Sequence, residues 1–375
     1  MAKRLFMVAG EASADMHAAT LLTELKKHYP NLNCIGVGGP ALRRVGMDVL
    51  LGSEKLNVVG ISDWWDRFAE VLGGYRKVIR YLEKNPPDLA VLLDLPDFNL
   101  RVAKKLKKLG VPVVYYISPQ VWAWRKYRIH QIKRDVNLML VVFPFEKDFY
   151  AKEGVDVVFV GHPLLESIHP KTGQRPQLEI SKAPKIALLP GSRKSEIRFH
   201  SPILSDLVDL LRNKYPDAEI RVPVAQTLSK DFVQQSFGRP DITFIDSNSH
   251  DVLNWADVAV VASGTATLET ALIGTPFSLF YRVSKISSWV FRKLTKYRGF
   301  IGMPNLLQGR EVVREFFQAQ ASAQALFVET DKLIQNEIYR NEQVSALLNC
   351  RLKLGDTGAN VRAAENIHQF LLKKN

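Results

Sequence analysis

What most constrains this chain is an alternation that runs through most of its length. Short apolar runs are followed by turns and then by amphipathic stretches. The runs Arg4–Ala9, Asn33–Val37, Leu89–Asp94, Val111–Ile117, Leu138–Phe143 and Val157–Val160 are too short for helices and read as buried strands. Between them, Ser13–His28 carries Leu21, Leu22 and Leu25 on one face, and Pro40–Val45, Ala69–Asn85 and Asn99–Leu109 have helical character. Strands alternating with helices predict an α/β fold built on doubly wound parallel sheets. Residues 162–183 lose this periodicity and contain Pro163, Pro170 and Pro176, which reads as a linker. The pattern restarts with Lys185–Leu189, Glu219–Pro223, Ile242–Ile245, Val258–Ala262 and Phe277–Tyr281, and from Arg310 onward the chain is almost wholly helical in character. The expected organisation is a first domain over 1–165, a second over 180–340, and C-terminal helices over 341–375. Two similar α/β halves predict a ligand held in a cleft between them.

A chain of 375 residues allows each half a real core. Cys34 and Cys350 are the only cysteines and match no metal spacing, so a disulfide framework is not expected and a reducing cytoplasm is. The run after Met1-Ala2-Lys3-Arg4 is too short for a signal peptide, and no apolar run approaches a membrane span. A formal net charge of +13 suits nucleic acid or an anionic membrane surface. The basic clusters are Arg76, Lys77 and Arg80; Arg101, Lys104, Lys105, Lys107 and Lys108; and Arg125, Lys126, Arg128, Lys133 and Arg134. No nucleic-acid-binding motif accompanies them, which leaves a solvated basic face or membrane attraction. Val58, Val59, Ile61, Trp64, Trp65, Phe68, Val71, Leu72 and Tyr75 form an apolar stripe ahead of the first cluster. Such a stripe fits a buried helix face or a helix lying in a bilayer interface.

In open α/β sheets, ligands gather beyond the carboxyl ends of strands, so the residues leaving each strand are the candidates. The first strand delivers Glu11, followed by Ser13, which reads as a site residue or a helix cap. Gly36-Val37-Gly38-Gly39-Pro40-Ala41 fits a dinucleotide pattern but follows the second strand and puts proline in the turn. Asp94 sits where a buried strand leaves its sheet, and reads as a general base or a turn-stabilising residue. Trp122 and Trp124 beside Arg125 fit a sugar site or loop packing. In the second half, Gly191-Ser192-Arg193 runs from strand to helix, and Arg193 is a diphosphate ligand or a solvated charge. Ser263-Gly264-Thr265-Ala266 is a small-residue turn opening another helix, whose first N–H groups favour an anion, and Glu269 follows one turn in, within reach of a ribose. No Walker A, H-E-x-x-H or G-x-S-x-G sequence occurs, and no D-x-D metal pair lies near a strand end.

Taken in order, Val8-Ala9-Gly10-Glu11-Ala12-Ser13-Ala14-Asp15, Asp94-x-Pro96-Asp97-Phe98-Asn99, Tyr116-Ile117-Ser118-Pro119-x-Val121-Trp122-Ala123-Trp124-Arg125, Phe143-x-Phe145-Glu146, Gly161-His162-Pro163, Leu189-Pro190-Gly191-Ser192-Arg193, Ala262-Ser263-Gly264-Thr265-Ala266 and Pro304-Asn305-Leu306-Leu307 closely resemble the lipid-A-disaccharide synthase family. The resemblance spans nearly the whole chain. It implies a GT-B glycosyltransferase with two Rossmann-like domains, no cofactor and no metal requirement. The implied reaction joins UDP-2,3-diacylglucosamine to the 6-hydroxyl of 2,3-diacylglucosamine 1-phosphate in an inverting transfer, giving a β-1,6 disaccharide and UDP. By the same resemblance, Asp94 is the base, with Glu11 and Ser13 near the reacting sugars. Arg193 and the Ser263–Ala266 turn hold the diphosphate, Glu269 the ribose, and Asn305 supports the nucleotide side. The first domain takes the acceptor and docks on the membrane through the stripe Val58 to Tyr75, the second binds the UDP-sugar, and the C-terminal helices cross back or are swapped in a homodimer. The implied location is the cytoplasmic face of a bacterial inner membrane, with no nucleic-acid partner. Where the family commonly has glycine, this chain has Ala14, expected to make that turn less permissive. The competing readings are another GT-B transferase or epimerase acting on UDP-N-acetylglucosamine, and a basic nucleic-acid-binding protein.

Overall fold

The computed structural model describes residues 3–53, 64–122, 127–169, 183–246, 248–283 and 299–374, with the backbone of 64–71. They form two compact units, Met1–Glu166 with Leu354–Asn375, and Ser167–Lys353.

In unit 1 the strands are β1 (Arg4–Val8), β2 (Asn33–Gly38), β3 (Asp48–Gly52), β4 (Leu89–Leu93), β5 (Val113–Tyr116), β6 (Leu138–Val141) and β7 (Val157–Phe159). All pair in parallel in the order β3-β2-β1-β4-β5-β6-β7, and the chain reverses direction across the sheet between β1 and β4. Helices α1 (Ala12–His28), α2 (Pro40–Arg44), α3 (Trp64–Lys84), α4 (Pro96–Lys108), α5 (Arg128–Asp135), α6 (Pro144–Lys152) and α7 (Leu164–Ser167) make the crossovers and the exit from the sheet. Every residue of β4 is buried, as expected for a strand covered on both faces. Gly36 passes so close to β1 that a Cβ would lie 1.8 Å from the Met7 carbonyl oxygen. The sequence reading lacks β3, whose apolar core Val49–Leu51 is too short to stand out and whose pairing shifts register at Gly36/Val37.

Unit 2 repeats the plan: β8 (Lys185–Leu189), α8 (Lys194–Lys214), β9 (Glu219–Pro223), α9 (Lys230–Phe237), β10 (Thr243–Ile245), α10 (Ser249–Trp255), β11 (Val258–Ala262), α11 (Thr265–Ile273) and β12 (Phe277–Tyr281). After these come α12 (Met303–Gln308), β13 (Glu315–Phe317), α13 (Ala323–Gln335) and α14 (Glu337–Lys353). The parallel order is β10-β9-β8-β11-β12-β13. β13 corrects the expectation of an almost wholly helical segment after Arg310. Glu315-Phe316-Phe317 is only three residues long and completes the sheet edge beside β12. The last helix, α15 (Ala359–Lys374), returns to unit 1 and packs on α1, where His368 stacks on His28 at 4.7 Å and bonds the Tyr29 hydroxyl at 2.8 Å.

Candidate active-site residues

In unit 1, Asp94 stands at the exit of β4. β4 ends at Leu93, and the next two residues take left-handed backbone angles, Asp94 at φ 48° and Leu95 at φ 35°. That turn aims the Asp94 carboxylate at the end of neighbouring β1. Glu11 N–H donates to it at 2.7 Å and Gly10 N–H at 3.1 Å. Gly10 has no room for a side chain, because a Cβ would lie 1.9 Å from Leu95 Cδ1. Burial pushes the Asp94 carboxyl up to about 7, against the pull of those two N–H groups, and the Glu11 charge adds to the rise. A carboxyl titrating near neutrality is matched to taking a proton from a hydroxyl.

Glu11, exposed, is the residue preceding α1, while Ser13 lies inside its first turn and is half-buried. Ser13 is therefore not the cap of this helix. Ala14 is buried within the helix rather than in a turn, where alanine is preferred to glycine. Asp15, also buried, accepts from the N–H groups of Gly39 at 2.7 Å and Ala41 at 2.8 Å. Its carboxylate thereby fills the start of α2, the very turn carrying the dinucleotide-like glycines.

The sequence reading placed no role on Glu146 beyond its motif. It is buried in α6, accepts from Phe143 N–H at 3.2 Å and from the Trp122 indole at 3.3 Å, and burial pushes its carboxyl up to about 8. Phe145 meets Trp122 edge-on at 5.1 Å, so Trp122 is packed among loops with its polar edge committed. Trp124 and Arg125 lie outside the described residues.

In unit 2, Arg193 precedes α8 and is half-exposed. Its guanidinium donates to Glu196 at 2.9 Å, and the other Glu196 oxygen accepts from Ser192 N–H at 2.9 Å and Arg193 N–H at 3.2 Å. Gly191, at φ 110°, gives the room: a Cβ there would lie 2.4 Å from Glu196 Oε2. One turn on, buried His200 donates from Nδ1 to Pro190 O at 2.6 Å and accepts at Nε2 from Arg282 N–H at 3.1 Å, tying the exits of β8 and β12. Burial holds its ring below the usual histidine range. Glu196 and His200 were missed, although their i, i+4 spacing on a helix opening after a glycine turn is visible in the sequence.

The turn after β11 is different. Gly264 precedes α11 with extended backbone, and among the described residues no side chain caps the helix and nothing lies within 4 Å of where its Cβ would be. Thr265 is exposed, and Ser263 and Ala266 are half-buried. The helix start thus presents N–H groups and dipole to whatever anion arrives. Glu269, one turn further, faces the beginning of α10, with Ser249 Oγ at 3.3 Å and His250 Nε2 at 3.5 Å. Asn305 is fully buried. Its Oδ1 accepts from the N–H groups of Val312 and Val313, and its Nδ2 donates to Val313 O and Glu315. It pins the loop from α12 to β13.

Of the apolar stripe, Val58, Val59 and Ile61 lie outside the described residues, as do the side chains of Trp64, Trp65, Phe68 and Val71; Leu72 is half-buried in α3. Arg76 and Arg80 of α3 and Arg101, Lys104, Lys107 and Lys108 of the adjacent α4 are exposed. Arg128 is instead buried and paired with Asp97. Among the described residues, no helix is long and apolar enough to cross a membrane.

Compared with known proteins, the chain matches the family described as lipid-A-disaccharide synthetase over residues 5–366. It is 40% identical over 370 residues to a lipid-A-disaccharide synthase of Anaeromyxobacter dehalogenans (strain 2CP-C), covering 97% of this chain and 96% of the relative. To the protein of the same name from Myxococcus xanthus (strain DK1622) it is 40% identical over 374 residues, covering 98% and 97%. Among solved structures, the fold is similar to a kitacinnamycin glycosyltransferase (TM-score 0.63, 15% identity, 98% of each chain). It is also similar to a UDP-GlcNAc 2-epimerase from Neisseria meningitidis (TM-score 0.62, 13% identity, 99% of this chain and 100% of that one). At such low identity these two structures speak to the fold alone, the GT-B arrangement of two Rossmann-like sheets.

Proposed function

The chain belongs to the lipid-A-disaccharide synthetase family, and from that membership we propose that it transfers 2,3-diacylglucosamine from its UDP derivative to the 6-hydroxyl of 2,3-diacylglucosamine 1-phosphate. The observation that carries the chemistry is the Asp94 carboxyl, held by two backbone N–H groups and titrating near 7. Asp94 takes the proton of the 6-hydroxyl as its oxygen bonds to the anomeric carbon. The bond from that carbon to the diphosphate breaks, the configuration inverts, and UDP leaves with the electron pair. Arg193 and the open start of α11, from Ser263 to Ala266, meet the leaving charge. Glu269 accepts from the ribose, in competition with Ser249 and His250. Asn305 acts by holding the loop of the nucleotide side, since its own polar atoms are committed. Glu11 and Ser13, at the start of α1, line the sugar side next to Asp94.

The exposed cations of α3 and α4 support peripheral docking of unit 1 on an anionic membrane, where each basic residue near the surface adds roughly 1 kcal/mol. The apolar stripe from Val58 to Leu72 supplies the inserting part, and the acylated substrates come from that membrane. The inner face of a bacterial inner membrane and a homodimer complete this reading.

Asp94→Asn tests the chemistry. It should bind UDP-sugar as the parent does and lose turnover by roughly 1,000-fold, within the range of general-base catalysis. Turnover at the parental rate with both acylated glucosamines would remove Asp94 from the role.

A further inference from the structure

We infer that Tyr115 and Asn99 are positioning residues for Asp94, together gripping its backbone carbonyl and so holding the left-handed turn that aims its carboxylate. The inference rests on Asp94 being the base. Two consecutive residues with side chains, Asp94 and Leu95, occupy the left-handed region that L residues avoid. Such a turn persists only when its surroundings over-determine it. Here the Asp94 carbonyl accepts from the Tyr115 hydroxyl and from Asn99 Nδ2, the latter at 2.7 Å. The same Nδ2 donates to Leu93 O at 2.7 Å, so Asn99 spans the last strand residue and the first turn residue.

Packing accounts for the Tyr115 ring but for neither polar group. Tyr115 lies on β5 in register with Leu92, fully buried, a place phenylalanine would fill equally well without a hydroxyl to satisfy. Asn99 is fully buried in α4 and among the described residues its Oδ1 has no hydrogen-bond partner, which is costly for a buried polar atom. An amide kept there at that cost is kept for its donor. From the other side, Gly10 leaves just the space Leu95 occupies, so the turn is clamped through its carbonyl and walled at its second residue. The charged groups bearing on this arrangement are Glu11 beside the carboxylate and Arg128 beside Tyr115.

Tyr115→Phe removes the hydroxyl bond to the Asp94 carbonyl, and Asn99→Leu removes both Nδ2 bonds, to Leu93 O and Asp94 O, together with the unpaired oxygen. With both acylated substrates, each should lower kcat by about tenfold and leave KM within about twofold, as expected for a displaced catalytic group. The acid limb of kcat/KM against pH should move to higher pH. A relaxed turn gives up the Gly10 and Glu11 N–H bonds, which favour the ionised carboxylate. UDP affinity, measured by calorimetry, should not change in either variant. A purely structural role would lower the melting temperature and the active fraction without moving that limb. Parental kcat and pH profile in both variants, beside an inactive Asp94→Asn, would overturn the positioning role and leave the base standing. An Asp94→Asn enzyme with parental turnover would overturn both.

Discussion

Two helix starts in unit 2 begin alike and end differently. β8 passes through Gly191 into α8, and β11 passes through Gly264 into α11. At α8 the chain supplies its own anion: Glu196, the third helical residue, takes the N–H groups of Ser192 and Arg193. The third residue of α11 is Thr267, whose hydroxyl turns the other way and donates to Gly264 O at 2.8 Å. Unit 1 repeats the first case, with Asp15 filling the start of α2. Four N–H groups open every helix, and an anion from outside is attracted only where the chain has not brought one. A glycine turn between strand and helix therefore marks a candidate, and the nearest carboxylate decides whether it is vacant.

That contrast can be abolished at a single residue. Gly264 has extended backbone that any residue adopts and open space where a side chain would go. Gly264→Asp should fold, cap α11 with its own carboxylate, and lower UDP affinity by roughly 100-fold, about 2.7 kcal/mol. Calorimetric titration with UDP measures it, and a thermal melt should show α11 no less stable. Parental affinity would mean that the start of α11 is not where the diphosphate sits. The reverse change, emptying a filled start, acts on stability. Asp15→Ala leaves the N–H groups of buried Gly39 and half-buried Ala41 without their acceptor and should cost about 2 kcal/mol in denaturant unfolding. A loss below a few tenths would show that water replaces the carboxylate without penalty.

The occupancy of these helix starts divides what the sequence could tell from what it could not. Glu196 is readable, because a capping carboxylate at the third helical position is a local pattern. Asp15 is not, since it caps a helix 24 residues further on, and nothing in Glu-Ala-Ser-Ala-Asp announces that partner. The strands were legible because parallel strands covered on both faces are continuous apolar runs, and the exceptions, β3 and β13, are edge strands whose apolar runs, Val49–Leu51 and Phe316-Phe317, are only two or three residues long. Asp94 was legible by position, at the exit of a buried strand next to the point where chain order reverses. Its left-handed turn was not, because no glycine marks it; the carbonyl is held by Asn99, five residues on, and by Tyr115, 21 residues away on the next strand. Asn305 showed itself only as a member of a motif, and its work as a loop clamp depends on partners brought in by β13.

Asp94 also receives N–H groups at a helix start, those of Gly10 and Glu11 before α1, and it is poised to change charge. Its folded carboxyl holds a proton up to about 7, whereas in an unfolded chain an aspartate releases it near 3.9. Between those values the unfolded state binds fewer protons, so stability falls as pH rises through the window and levels off above it. Asparagine carries no such penalty. The stability of Asp94→Asn relative to the parent should therefore improve from pH 4 to pH 7, by at least about 1 kcal/mol, and hold constant beyond. Urea unfolding of both proteins at pH 4, 5.5, 7 and 8 measures the gap. A gap that narrowed with pH would mean the N–H bonds outweigh burial and the carboxylate is ionised throughout. A gap that widened would show that ionising Asp94 costs the fold stability.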